Sequence, residues 1–355
     1  KQQTPRPALT GVMSKPMRPV GSIMKKTKIL AVILLSILVF TGCGSNFNQI
    51  GISMGNALNR GEVTSQSGNI YFIGADGIYK KDKKDKKPRR ILKGDFSNLN
   101  AVGEKLYFYD KSISTICKAN SEGFKVERIA EIYTDKVVVN KDNIFASILT
   151  GQGDENLESP DNYNIVSMKV TSRKLANTAS GTVYKGGKLI GSFGDHLYVE
   201  KMEKKNKVLI ELSLDGKKEK KIMDLPKDGK AIVTADEILV MGTVKDKFGV
   251  HKYTRGGKFK ETLAEVGKNA KTKSNAFNYD GETVYYENYR SNDDGISDEI
   301  VSMNIKSKKT KVLTKKSTAQ EYYLAAVEGK IFLKARKAGD LDAILKWNEL
   351  KDEGK

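Results

Sequence analysis

Few side chains in this sequence stand where their type and spacing could do chemistry. Four carboxylates, Asp154, Glu155, Glu158 and Asp161, crowd the segment GQGDENLESPDNY. Clustered carboxylates are what a hard cation or a basic ligand takes; the plainer reading is a solvated loop that balances a lysine-rich surface. In SNDDGISDE, Asn292, Asp294 and Gly295 follow part of a calcium-loop pattern, but Arg290 occupies the place of the first ligand. Asp-Gly turn chemistry in a hairpin accounts for that segment better. His196 and His251 fall in different strand-like runs, and no serine sits in a nucleophile-elbow context. Two cysteines and two isolated histidines cannot build a Cys/His metal cluster, and no cofactor is implied. The remaining reactive group is the thiol of Cys43, which closes an apolar run.

That run explains the thiol. Lys25, Lys26 and Lys28 lead into uncharged, mostly apolar residues from Ile29 to Phe40, and Thr41 and Gly42 precede Cys43. A charged start, a short apolar stretch and small residues before a cleavage point make an export signal. The stretch is shorter than the roughly 20 residues of a membrane span. Residues 24–42 resemble a bacterial lipoprotein signal, with Phe40-Thr41-Gly42-Cys43 as its lipobox and Phe40 a departure from the usual aliphatic residue. The resemblance implies diacylglyceryl transfer to the Cys43 sulfur, cleavage before Cys43 and often acylation of the new amine. Two or three chains suffice for stable anchoring, where one binds reversibly. The expected address is therefore the cell membrane, lipid-anchored on the extracytoplasmic side. Residues 1–23, with four prolines and no acidic residue, read as a non-native or disordered leader, and residues 43–61 as a tether.

Residues 1–42 hold seven basic and no acidic residues, so processing lowers the formal charge from +19 to +12. The remaining lysines are spread along the chain as a solvated basic surface suited to an anionic envelope, and nucleic acid is not an expected partner. With Cys43 acylated, Cys117 has no disulfide partner and reads as a small buried thiol.

The chemistry-bearing residues must be positioned by a repeat. A strand-like core preceded by Gly or Asp recurs as GNIYF, GEKLYF, DNIF, DHLYV, DEILV, GETVYY and GKIFL. Its first aliphatic residues (Ile70, Leu106, Ile144, Leu197, Ile238, Val284 and Ile331) are spaced by 36, 38, 53, 41, 46 and 47 residues. The mean, about 43, is near the period of a four-stranded propeller blade. Each core leads through a polar turn to a second run (Ile78–Lys80, for example), a lysine-rich turn, a third run and a fourth such as Leu99–Val102. The pattern predicts an all-β, seven-bladed β-propeller over residues 62–355. Six units are complete, and a composite closing blade joins a strand at Glu62–Ser65 to two C-terminal strands around Ile331 and Trp347. The recurrent Tyr and Phe residues of the first strands, and Trp347, read as packing between blades.

Residues 55–109 resemble the bacterial DUF5050 family, related to propellers of the prolow-density lipoprotein receptor type. Gly55-Asn56, Asn59, Gly61, Ile70-Tyr71-Phe72, Asp76-Gly77-Ile78-Tyr79-Lys80 and Asn98-Leu99-Asn100 carry the likeness. It implies a propeller and leaves function open. The expectation from sequence is a non-enzymatic binding or scaffold module for an envelope protein or anionic polymer. The alternative is a cell-envelope enzyme processing glycan or a small molecule on the same scaffold.

Overall fold

The computed structural model describes residues 50–150, 159–171, 181–267, 276–292, 295–314, 320–337 and 347–350. They form a seven-bladed β-propeller. Six blades are four-stranded antiparallel meanders, and the seventh has three strands among the described residues. The blades span residues 63–93, 96–131, 136–185, 188–224, 227–265, 277–312 and 320–350. Each opens with its innermost strand: Val63–Gln66, Phe96–Val102, Lys136–Asn140, Lys188–Phe193, Lys227–Val233, Phe277–Tyr279 and Gln320–Val327. The face on which these inner strands begin is termed upper, and the face on which they end, lower.

The Gly/Asp signal of the sequence marks the lower turns. Ser67-Gly68 and Glu328-Gly329 both have positive φ at both residues, the conformation of the two-residue turn whose twist matches a hairpin. Strands after these turns are buried on both faces, as in Asn69–Gly74 and Lys105–Asp110, because each sheet is sandwiched between two others. The recurrent aromatics do pack between blades: Tyr71 and Phe108 lie in one cluster, Phe145 in another, and Tyr198 and Tyr286 in a third. Trp347 is buried in the cluster that joins blades 1 and 7.

Two features differ from the sequence expectation. The fourth run of each predicted unit is instead the inner strand of the next blade: Asn100, Ala101 and Val102 pair with Tyr107, Leu106 and Lys105. Consequently, among the described residues, no composite blade closes the ring. Val63–Gln66 pairs with Asn69–Phe72 of its own hairpin, and the described strands of the C-terminal blade all come from residues 320–350. A two-residue turn costs far less loop entropy than joining strands more than 250 residues apart, so local pairing wins.

Closure comes from side chains instead. Phe72 stacks on Phe332. Glu62, buried at the start of blade 1, accepts from Lys334 Nζ at 2.6 Å and from Trp347 Nε1 at 3.1 Å. Lys81 and Lys330 both reach Glu349 at the lower face.

The second difference concerns residues 50–61, expected as part of a tether. They lie within the ring and run along its axis from the lower to the upper face. Ile50 bridges Asn140, and Gly51 N donates to Val139 O at 2.8 Å, near the lower end of blade 3. A helix, Met54–Leu58, follows, capped by Ser53 Oγ accepting from Asn56 N. Met54 packs into the core shared by blades 4, 5 and 6. Asn56 and Asn59 bond to the inner strands of blades 7 and 6, at Ala326 O and Phe277 O. Leu99 N, in blade 2, donates to Gly61 O. The axis that propellers commonly leave open is here filled by the chain's own N-terminal segment.

Candidate functional site at the upper mouth

With the axis filled, the concentration of titratable groups lies around its upper mouth, over blades 3 to 5. The first residues of three successive inner strands are Lys136, Lys188 and Lys227. Lys136 and Lys188 are half-buried there, as a lysine is when it buries its methylenes and keeps its head near solvent.

Lys136, half-buried, donates from Nζ to Ala57 O of the axial helix. Burial pushes its amine down to about 8; Asp135 and Glu200 oppose this and Lys188 adds to it. Lys188 has the opposite fate. Burial disfavours its charge, but Asp135 Oδ2 at 2.9 Å holds it above the usual lysine range. Its ammonium also lies 4.5 Å over the Tyr163 ring, a cation–π contact. Lys230 is lowered by burial, with Glu200 and Glu287 opposing and Lys207 adding. Lys207 in turn sits 3.6 Å from Glu200. The mouth thus gathers several ammonium groups, two of them held below their ordinary pKa, beside fewer carboxylates. Such a site gains by admitting an anion, because a negative charge restores the protonated form that burial penalises.

Of the predicted site residues, Cys43 and the segments 1–23 and 24–42 lie outside the described residues, as do Asp154, Glu155 and Glu158. Asp161 is described. It sits in a single helical turn, Pro160–Asn162, and its Oδ1 accepts from Met202 N at 3.1 Å. That bond ties the end of the insertion to blade 4. Among the described residues no group of His, Cys, Asp and Glu could hold a metal ion. Asn292 and Gly295 pair across a hairpin, as turn chemistry anticipates.

His251 is buried in blade 5. Its Nε2 lies 2.9 Å from Gly242 O, and Nδ1 lies 3.1 Å from Thr262 Oγ1. The carbonyl can only accept, so Nε2 carries the proton and Nδ1 accepts from the threonine. Burial lowers its pKa, and both nitrogens are used in structure. Cys117 is buried and free, with its thiol pushed up to about 11 by burial.

The lysine mouth was missed in the sequence, although a signal existed. Lys136, Lys188 and Lys227 recur at one repeat position in DKVVV, GKLI and PKDGK. Scattered among so many lysines, they stand out only once the inner strands are assigned.

No family model matches the chain, so the DUF5050 likeness gains no support of that kind. No curated protein matches either. Solved structures do. The β-propeller domain of the trilobed protease from Pyrococcus furiosus superposes with a TM-score of 0.53 at 11% identity, over 83% of this chain and 94% of that one. An oligogalacturonate lyase in complex with manganese gives 0.52 at 9%, over 86% and 91%. The Pyrococcus horikoshii acylaminoacyl peptidase gives 0.54 at 12%, over 85% of this chain and 54% of that one, so the chain spans about half of that peptidase. These likenesses establish the propeller. They also correct the expectation of a non-enzymatic chain: nearly the whole of a lyase has this fold, and the scaffold is shared with the propeller domains of peptidases. What the comparisons show is a β-propeller at a distance where fold alone is shared.

Proposed function

We propose that this chain is an exported propeller, lipid-anchored through Cys43, that captures an anionic polymer segment of the cell envelope at its upper mouth. The observation that carries the reading is the half-buried set Lys136, Lys188 and Lys230 at the opening of an axis plugged by residues 50–61. With residues 50–61 bonded along the axis, the mouth offers a surface for one face of a polymer chain in place of an open central channel. Pairing with carboxylates or phosphates would stabilise the penalised ammonium groups. The test is titration of the full chain carrying Cys43→Ser with oligogalacturonate and with poly(glycerol phosphate), followed by calorimetry. Binding of either that weakens at least tenfold in Lys136→Met/Lys230→Met, with neutral dextran inert, is the expected result. Equal binding by the double variant removes the site.

A second reading is favoured by Lys136 itself. With its pKa near 8, part of its population is a free amine at neutral pH and could abstract a proton, the first step of an elimination such as a lyase performs. Incubation with oligogalacturonate and measurement of the ultraviolet absorbance of an unsaturated product distinguishes turnover from capture alone.

The anchor is tested separately. Palmitate labelling should mark the wild-type chain and be absent from Cys43→Ala, which should also leave the membrane fraction or remain unprocessed.

A further inference from the structure

We infer that the lower face of the propeller is a membrane-apposed surface, built to lie on anionic lipid headgroups while the upper mouth faces away. This deepens the reading of a Cys43 anchor and rests on it for the proximity of the bilayer. The first observation is where the described chain starts. Ile50 bridges Asn140 and Gly51 bonds to Val139 at the lower ends of the inner strands. Cys43 is seven residues earlier, and a fully extended chain of that length spans at most about 25 Å. An acylated Cys43 therefore keeps the lower face, rather than the upper, within reach of the leaflet.

The second observation is charge. In an antiparallel meander, the hairpin joining third to fourth strand falls on the face where the inner strand ends, so the described hairpins of this kind project downward. They carry exposed lysines: Lys84 and Lys87 in blade 1, Lys218 in blade 4, Lys258 in blade 5, and Lys306 and Lys309 in blade 6. None of these makes an ion pair among the described residues. Several carboxylates nearby are engaged elsewhere, while Asp85 lies exposed between Lys84 and Lys87. Asp82 pairs with Lys80 at 2.6 Å, and Asp215 accepts from Ser213 Oγ at 2.6 Å and Lys217 N at 3.1 Å. Asp195 pairs with Lys141 at 2.7 Å, and Asp280 accepts from Tyr285 Oη at 2.6 Å. Glu104, Asp142, Asp236, Glu282 and Glu328 are also exposed in the first turns, closer to the axis, and lysine predominates in the outer hairpins.

The third observation is apolar. The corresponding hairpin of blade 2 presents Phe124 at 68% and Val126 at 48% exposure, flanking Lys125. An exposed Phe and Val around a lysine cost solubility with no return inside the fold. Beside a lysine ring they fit an interfacial contact, apolar tips in the headgroup boundary and ammonium groups on phosphates.

The experiment is vesicle co-sedimentation of the full chain carrying Cys43→Ser, so that no acyl chain contributes. Phosphatidylglycerol–phosphatidylcholine vesicles are compared with pure phosphatidylcholine. The expected result is binding to the anionic vesicles only. It should fall at least roughly tenfold in Lys84→Glu/Lys87→Glu/Lys306→Glu/Lys309→Glu, and several-fold in Phe124→Ser. An upper-face control, Lys204→Glu/Lys205→Glu, should bind as the parent does. Melting temperatures within a few degrees of the parent certify that the variants fold. No binding to anionic vesicles, or equal loss in upper and lower variants, overturns the inference. So does binding of soluble poly(glycerol phosphate) at the lower-face lysines while vesicles fail to bind. Palmitate labelling of Cys43 separates the two claims. Lost label with intact vesicle binding removes the anchor and keeps the face, and the reverse keeps the anchor and removes the face.

Discussion

The side chain of Asn56 pairs with the backbone of Ala326 as another strand would. Its Nδ2 donates to Ala326 O at 3.1 Å, and its Oδ1 accepts from Ala326 N at 2.9 Å. The same Oδ1 accepts from Asn278 Nδ2 at 2.9 Å, and Asn278 Nδ2 also lies 2.7 Å from Leu324 O. One axial residue thus satisfies the inner edge of blade 7 and locks it to blade 6. Equivalent amides bind other blades: Asn100 donates to Val137 O and accepts from Val139 N, and Asn140 donates to Gly194 O.

Replacing Asn56 by Ala should therefore cost about 2–4 kcal/mol, since it strands a buried N–H and C=O as well as removing hydrogen bonds. Asp at this position should be no better, because its oxygen would face Ala326 O. Urea denaturation checks both; a loss below about 1 kcal/mol for Asn56→Ala would show that the axial segment is not part of the cooperative fold.

Gly55 gives a prediction of inverted sign. In an ordinary helix, Gly to Ala gains about 0.5–1 kcal/mol. Here a Cβ at residue 55 would overlap Asn278 Oδ1, an atom fixed by its amide's own bonds to Asn56 and Leu324. Gly55→Ala should destabilise by about 1–3 kcal/mol in thermal unfolding. A gain in melting temperature would contradict the packing of the helix in the axis.

The clasp between Glu62 and Lys334 is a buried ion pair linking blades 1 and 7, with Arg60 Nε also on Glu62 at 2.9 Å. Lys334→Met leaves buried Glu62 with only Arg60 and Trp347 Nε1 as side-chain partners, so the loss of its shortest charge-assisted bond should cost about 1–3 kcal/mol. Lys334→Met/Glu62→Leu should recover much of that loss. A double-mutant cycle in urea that comes out additive would show that the pair does not couple the blades.

The Lys136 amine has a folded pKa near 8, below its unfolded value. The unfolded state therefore binds more protons between about pH 8 and 10.5, and the contribution of this group to stability rises with pH across that window. Below pH 8 its full penalty is present. Lys136→Met should be more stable than the parent at pH 7, and this advantage should shrink as pH climbs to 10. Paired urea titrations at the two pH values measure the difference, and a constant gap would show that Lys136 is not penalised by burial.

Cys117, buried with its thiol pushed up to about 11, should resist alkylation at pH 8 in native Cys43→Ser protein and react fully in denaturant. Rapid labelling of the native protein would place the residue at the surface.

Much of the ring was legible beforehand because its signals are local. The runs around Tyr71, Tyr107 and Phe145 alternate with turn residues, and a two-residue turn such as Ser67-Gly68 determines which strands meet. Blade count, strand order within hairpins and the burial of Cys117 and Trp347 followed from these patterns. The offset of one strand per unit was not legible: Leu99 sits in a run that reads equally well as the last strand of one blade or the first of the next. Which neighbour it pairs with depends on the Gly103-Glu104 turn that follows it, not on its own composition.

The sequence alone determined a seven-part β repeat with lysine-rich hairpins, because each is written within a few tens of residues. Only the tertiary structure decided that residues 50–61 fill the axis, that blades 1 and 7 meet through Glu62 and Lys334 without exchanging strands, and that Lys136 and Lys188 converge on one mouth. Those outcomes depend on groups up to 272 residues apart in sequence. An asparagine that caps a distant strand carries no periodicity of its own, and a buried lysine differs from a solvated one only in what the fold brings beside it.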